Sequence, residues 1–302
     1  MADATPNERV YIETMTLTAV LLVMASAIMH ATWNALARRT DDPYAFFFSF
    51  NLLASMIWLP VAMIAGWNNR PSLGDLALIT GSGSLQVFYF VLLAAAYRRG
   101  GLTLVYPIAR GTGVALVPIA GFIVFSERPS IAGWIGIAAT LAGLAFVAVI
   151  NVQARRTSKA DVDSQAIVFA LLTGLVISTY SLVDNFGVER VNPIVYGYGL
   201  IAASVLIQAP YVIALRRVDV GRQILYNWRS VAAGAVLSMG TYMLVLVALT
   251  ETNVGYVVPL REISIVFALI LGIIVLHEPV TVQRIAAAMV IALGAACIAI
   301  GG

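Results

Sequence analysis

Arg110 and Arg261 lie inside apolar stretches of this chain, where a charge is hard to shelter. A guanidinium cannot shed its proton in a protein, so each must find a carboxylate, carbonyls, water or an anionic ligand. Bidentate capture of a carboxylate or phosphate is the binding chemistry this permits. The structural alternatives are an ion pair of Arg261 with Asp184 or Glu262, or snorkelling of both arginines to a membrane surface. Glu262 could hold a proton or a ligand amine, or serve as an arginine's partner. His30 could relay protons, since an unperturbed imidazole titrates near about 6.5, or could be a hydrogen-bonded packing residue.

Other polar and aromatic side chains recur at helical spacing. His30, Trp33 and Asn34 fall at i, i+3 and i+4, and Tyr180 and Asp184 occupy the matching face later in the chain. Gln86 and Tyr89 share one stretch with Tyr97, Tyr106 sits one turn before Arg110, and Tyr242 follows Ser238 at i+4. Trp33, Tyr106, Tyr180 and Tyr242 could stack on a ligand or simply pack. The candidate binding set is therefore His30, Trp33, Asn34, Gln86, Tyr89, Tyr106, Arg110, Tyr180, Asp184, Tyr242, Arg261 and Glu262.

The elements that carry these residues are read from hydropathy. Of the 302 residues, 61% are hydrophobic and 11% charged, with mean hydropathy +0.92, whereas soluble domains carry about 25% charged residues. Lipid is the implied solvent. Apolar runs predict an all-α membrane protein with ten spans: 15–37, 43–66, 76–97, 102–125, 130–152, 165–187, 193–215, 229–250, 253–276 and 280–300. Their continuity excludes the short alternating segments of a strand barrel. The first fourteen residues are polar and lack the basic region of a secretory signal. Cys297 is the only cysteine, so no internal disulfide or thiolate metal cluster is expected.

With ten spans, the loops after spans 1, 3, 5 and 7 share one side and carry eleven basic residues, among them Arg38, Arg98, Arg155 and Arg216, against four on the other side. This bias predicts a cytoplasmic arginine-rich side and both termini outside. It also accounts for the net charge of +3 without nucleic acid. Trp58, Trp67, Trp134 and Trp228 lie near span ends and are expected as interfacial anchors.

The chain also repeats itself. Pro43 and Pro60 recur as Pro193 and Pro210, a shift of 150. Gly83, Arg110, Gly121, Glu127 and Gly143 recur as Gly234, Arg261, Gly272, Glu278 and Gly294, a shift of 151. The expected division is a polar segment 1–14, a five-helix repeat 15–152, a linker 153–164 and a second repeat 165–302. Five spans per copy is odd, so the second copy enters the membrane from the opposite side and the fold is a 5+5 inverted repeat. Gly133, Gly136 and Gly143 in span 5, with Ala288, Gly294 and Ala295 in span 10, predict a small-residue packing seam. The six polar-striped spans 1, 3, 4, 6, 8 and 9 would surround a cavity, with spans 5 and 10 closing its far side. Pro107, Pro118 and Pro259 could kink spans 4 and 9. Glu127 and Glu278, beside Pro129 and Pro279, are read as span terminators outside the site.

The paired segments Phe125-Ser126-Glu127-Arg128-Pro129-Ser130 and Leu276-His277-Glu278-Pro279-Val280-Thr281, with the first-span ending His30-Ala31-Thr32-Trp33-Asn34-Ala35, resemble the drug/metabolite transporter superfamily of the ten-helix EamA type. The resemblance covers nearly the whole chain. It implies a multi-pass protein of a bacterial-type inner membrane, a secondary transporter that exports or exchanges metabolites without an ATPase domain or any cofactor. Inverted repeats of this kind handle substrate near the membrane midplane by alternating access. Arginines and acids together suggest an amino acid or other zwitterionic or anionic solute. The alternative readings are a multidrug or aromatic-compound exporter and a non-transporting membrane protein. The expected partners are a small-molecule substrate and the lipid bilayer, with no nucleic acid. Protons are a candidate coupling ion, carried by Glu262, Asp184 or His30, and monomer or homodimer is left open. An enzyme is not expected, because no His-Glu-x-x-His, Gly-x-Ser-x-Gly or Walker segment occurs. Relatives implied by the resemblance place the N-terminus inside, and the arginine distribution predicts the reverse. A C-terminal reporter fusion checks this: activity on the non-cytoplasmic side is expected, and strong cytoplasmic activity contradicts it.

Overall fold

The computed structural model describes residues 16–67, 70–125, 130–157, 163–251, 257 and 260–301. The N-terminal segment 1–14, Glu127, Arg128, Pro129 and Pro259 lie outside the described residues. The helices are α1 Leu17–Arg38, α2 Pro43–Ala65, α3 Leu73–Tyr97, α4 Leu102–Phe125, α5 Ile131–Thr157, α6 Ser164–Arg190, α7 Pro193–Tyr211, α8 Arg217–Tyr226, α9 Trp228–Glu251, α10 Ser264–Ile274 and α11 Val282–Gly301. α8 continues α7 through one wide π turn, Val212–Arg216, and a 3-10 turn, Arg261–Ile263, precedes α10. No strand occurs among the described residues.

Local chemistry sets many of the starts. Thr16 caps α1 through Ala19 N–H, and Asp42 caps α2 with Pro43 in the first turn. Asn192 and Pro193 do the same for α7, 150 residues later. Proline suits that position because its missing N–H would be unpaired there anyway. Ser72 and Asp75 form a reciprocal capping box, which starts α3 at Leu73 rather than at the expected residue 76. Among the described residues six helices are long and apolar enough to cross a membrane, with Leu102–Val117, Ile131–Val147 and Val282–Cys297 as shorter apolar segments. Large apolar side chains such as Leu21, Met56, Phe88, Ile135, Leu206 and Leu293 cover the outside.

The packing has the two-fold pattern of an inverted repeat. Exchanging each helix for its repeat counterpart (α1 with α6, α2 with α7, α3 with α9, α4 with α10, α5 with α11) turns the α1–α9 contact into α6–α3, α1–α10 into α6–α4, and α2–α9 into α7–α3. α2–α7 and α5–α11 map onto themselves. Each of these interfaces joins the two halves. The bundle is therefore a single unit in which neither half buries its polar faces alone.

The structure corrects several expectations. The helix of span 7 does not stop at 215 but runs to Tyr226. Residues 216–226 contain no proline, and Arg216 Nε donates to Asp219 Oδ2 at 2.7 Å one turn on. α5 continues to Thr157, well into the stretch read as linker. Trp67, Trp134 and Trp228 are exposed, while Trp58 is half-buried against the core rather than free at the surface.

The α5–α11 seam is as close as its glycines allow. A Cβ on Gly294 would stand 2.7 Å from Thr140 N and 2.8 Å from Gly136 O, and one on Gly143 would meet Ile291 Cγ1 at 2.6 Å. Backbone cannot yield as a flexible side chain can, so Gly294→Ala is expected to cost about 1–3 kcal/mol of stability. A lowered thermal midpoint of the purified protein checks this, and an unchanged midpoint contradicts the seam.

Candidate functional site

Each of the twelve candidate residues is at most 8% exposed, as the cost of a polar group in hydrocarbon requires. All but Gln86 fall into two neighbouring clusters between the halves.

The first is built on the two arginines. Arg110 projects from α4 and meets Glu262 from the 3-10 turn in a two-pronged ion pair, with Nε to Oε2 at 3.1 Å and Nη2 to Oε1. Arg261 Nη2 lies 3.1 Å from His30 Nδ1 on α1. An arginine can only donate, so Nδ1 accepts and the neutral imidazole carries its proton on Nε2. That Nε2 has no partner among the described residues, nor do Arg110 Nη1 and Arg261 Nε. The His30 ring stands edge-on to Trp33 with centroids 4.8 Å apart, and 5.8 Å from Tyr106. Asn34 Nδ2 donates to His30 O at 2.9 Å and its Oδ1 accepts from Tyr97 OH at 2.7 Å, which anchors α1 to α3.

The second cluster centres on Asp184 of α6. Its Oδ1 accepts from Ser82 Oγ at 2.6 Å and Tyr196 OH at 2.9 Å, and its Oδ2 accepts from Tyr242 OH. Three hydroxyl donors from α3, α7 and α9 thus surround one carboxylate. Gly187 makes this approach possible, since a Cβ there would collide with the Tyr196 ring. Tyr89 and Tyr180 meet edge-on at 5.9 Å beside it.

Arg110, Tyr180, Asp184, Tyr242 and Arg261 line one cleft with apolar residues of α6 and α9. Its volume is about 20 Å³, enough for about one water. Among the described residues the polar faces thus meet across a narrow cleft, with the Arg110–Glu262 pair and the Asp184 hydroxyl cluster each satisfied by partners of its own. His30, Tyr106 and Glu262 back the cleft through the arginines. Trp33, edge-on to His30, does not line the cleft and joins an aromatic core with Phe47, Phe50 and Phe90. Gln86 is buried with Nε2 unpartnered.

Sequence reading missed Ser82 and Tyr196, which look like ordinary residues of apolar helices until Asp184 is placed beside them. Glu278, read as a span terminator outside the site, makes contacts away from the two clusters. Glu278 reaches across to the other half, where its carboxylate accepts from Leu102 N at 2.8 Å, Thr103 N at 3.0 Å and Thr103 Oγ1 at 2.7 Å. It therefore caps α4, as an anion at a helix N-terminus should, and Arg38 Nε lies 3.7 Å from it. His277, in the left-handed region at φ 53°, turns the chain after α10 to make this reach. The signal available was the repeat of Glu127 at Glu278.

Breaking a buried ion pair from one side leaves the other charge stranded, at a cost of about 3–5 kcal/mol. Arg110→Gln and Glu262→Gln are each expected to lower thermal stability strongly, and the double variant less than the sum of the two. Additive losses would show that the pair is not coupled.

The sequence model of the EamA-like transporter family matches residues 17–149 and again 164–300, one copy on each half. The spermidine export proteins MdtI of Yersinia pestis (strain Pestoides F) and of Yersinia pseudotuberculosis serotype O:1b are each 31% identical over 102 residues, 33% of this chain and 89% of theirs. A protein of known crystal structure superposes with TM-score 0.66 over 92% of this chain and 95% of its own, at 17% identity, a likeness of fold. Two family matches in tandem, on halves packed as an inverted repeat of ten membrane helices, place this multi-pass membrane protein in the EamA-like transporter family.

Proposed function

We propose that this transporter carries a small anionic or zwitterionic metabolite, such as an amino acid, by alternating access, as an exporter or exchanger and not as an enzyme. The observation that carries the reading is an imbalance of hydrogen-bonding groups at the centre. Among the described residues, Arg110 Nη1, Arg261 Nε and His30 Nε2 are buried donors without partners, whereas both carboxylates already accept, Glu262 from Arg110 and Asp184 from three hydroxyls. Unpaired buried donors are costly. A ligand rich in acceptors, above all a carboxylate, would remove that cost when it enters. Arg261 is the natural contact, because its recorded partner is a neutral imidazole.

A closed cleft fits one stage of a cycle in which the two halves, 15–152 and 165–302, rock about it. Glu278 then acts as a latch between the halves at the arginine-rich face, taken here as cytoplasmic, with both termini on the other side. Glu262, Asp184 and His30 are the carriers available for proton coupling.

The second reading is export of a polyamine or an aromatic drug, favoured by the similarity to spermidine export proteins over one third of the chain and by the rings of Tyr89, Tyr106, Tyr180 and Tyr242. A polyamine needs free acceptors, and Glu262 and Asp184 would first have to leave their present partners. Transport by protein reconstituted in liposomes separates the two. We expect saturable, trans-stimulated uptake of a carboxylate-bearing solute, weakened about ten- to hundredfold in affinity by Arg261→Gln, the range for a hydrogen bond to a charged group. Unchanged affinity in a folded Arg261→Gln protein, or transport of spermidine alone, overturns the anionic reading.

A further inference from the structure

A second cavity lies away from the centre, between α2, α3 and α7 at the arginine-rich end of the bundle. It is a groove of about 410 Å³, within the range of small-molecule sites. Arg98, Arg99 and Arg216 form one end, and Val87, Val91 and Ile207 line its length. Val87 precedes Arg98 by eleven residues, so the groove follows α3 for about 16 Å at the helical rise, from the charged rim toward the hydrocarbon. Val91 is 42% and Ile207 44% exposed, so the groove, at the seam where α2 and α3 of one half meet α7 of the other, opens onto the outer, lipid-facing surface rather than into the central cleft.

The rim holds its cations ready. Arg98 Nη2 contacts Asp42 Oδ1 at 2.8 Å, Arg216 contacts Asp42 and Asp219, and Arg99 Nε lies 3.6 Å from Asp163 Oδ2. None of these carboxylates lines the groove. Each guanidinium has five N–H donors, so these contacts fix its position and leave donors over. Gln208, only 5% exposed, and Tyr211 add polar groups below the arginines.

We propose that this groove binds the phosphate of an anionic phospholipid under Arg98, Arg99 and Arg216, with one acyl chain along Val87, Val91 and Ile207. An anionic headgroup is preferred over a zwitterionic one because Asp42, Asp163 and Asp219 are already engaged by the arginines and lie outside the lining, which leaves guanidinium donors facing the groove and no lining carboxylate for an ammonium. The site is independent of the transported solute.

The test is lipid binding to the detergent-purified full chain, read by native mass spectrometry and thermal shift, with phosphatidylglycerol, phosphatidylcholine and inorganic phosphate as separate probes. Phosphatidylglycerol is expected to bind and stabilise more than phosphatidylcholine, and phosphate alone to do neither. Arg98→Gln with Arg99→Gln should weaken phosphatidylglycerol binding about thirtyfold, following the contribution of each basic residue at an anionic surface. Arg98 also braces Asp42, so Val91→Trp, at an exposed position, is the second variant and should block the acyl track without loss of folding. Equal binding of the two lipids, an equal effect of inorganic phosphate, or wild-type lipid binding by Val91→Trp overturns the proposal.

Discussion

A guanidinium in hydrocarbon cannot neutralise itself, and this bundle is organised around how Arg110 escapes that problem. Its partner Glu262 comes from the other half of the chain and gives two parallel contacts. The pair is 2% and 1% exposed, so the two halves cannot separate at this level without stranding a charge. Around it, α1 brings His30, α4 brings Arg110 and the turn before α10 brings Arg261 and Glu262, which ties three helices to one electrostatic centre.

The repeat supplies the frame, and departures from it supply the chemistry. Arg110 and Arg261 are counterparts at a shift of 151, but Glu262 corresponds to Gly111. One carboxylate therefore serves two arginines. Arg110 takes it, and Arg261 is left with the His30 ring. At a shift of 150, Asp184 corresponds to Asn34 and Tyr180 to His30. The amide is satisfied by Tyr97, whereas the carboxylate draws hydroxyls from three helices. A symmetric scaffold thus carries an asymmetric centre, with spare donors on one side and a saturated acceptor on the other.

Glu278 shows how the same fold joins its halves away from the centre. Its carboxylate occupies the electropositive start of α4, beside Gly101 and Gly272, where added methyl groups would collide with Glu278 and with Thr103. The close approach of three elements there depends on small residues and one capping charge. A contact of this kind can form or part as a unit, because its hydrogen bonds share one acceptor group.

Much of this was written in one dimension. Burying a backbone in lipid demands long apolar helices, so hydropathy alone marks the spans, and an odd number per repeat dictates inversion. The energetic penalty on polar groups in hydrocarbon is also enough to say that His30, Asn34, Arg110, Asp184, Arg261 and Glu262 turn inward. Which of them meet was left to the tertiary structure. Helical periodicity places a side chain on a face, but pairing depends on the rotation and crossing of helices some 150 residues apart. That is why Arg261 finds His30 rather than Asp184, why Ser82 and Tyr196 join the site unannounced, and why the described polar faces meet across a narrow cleft.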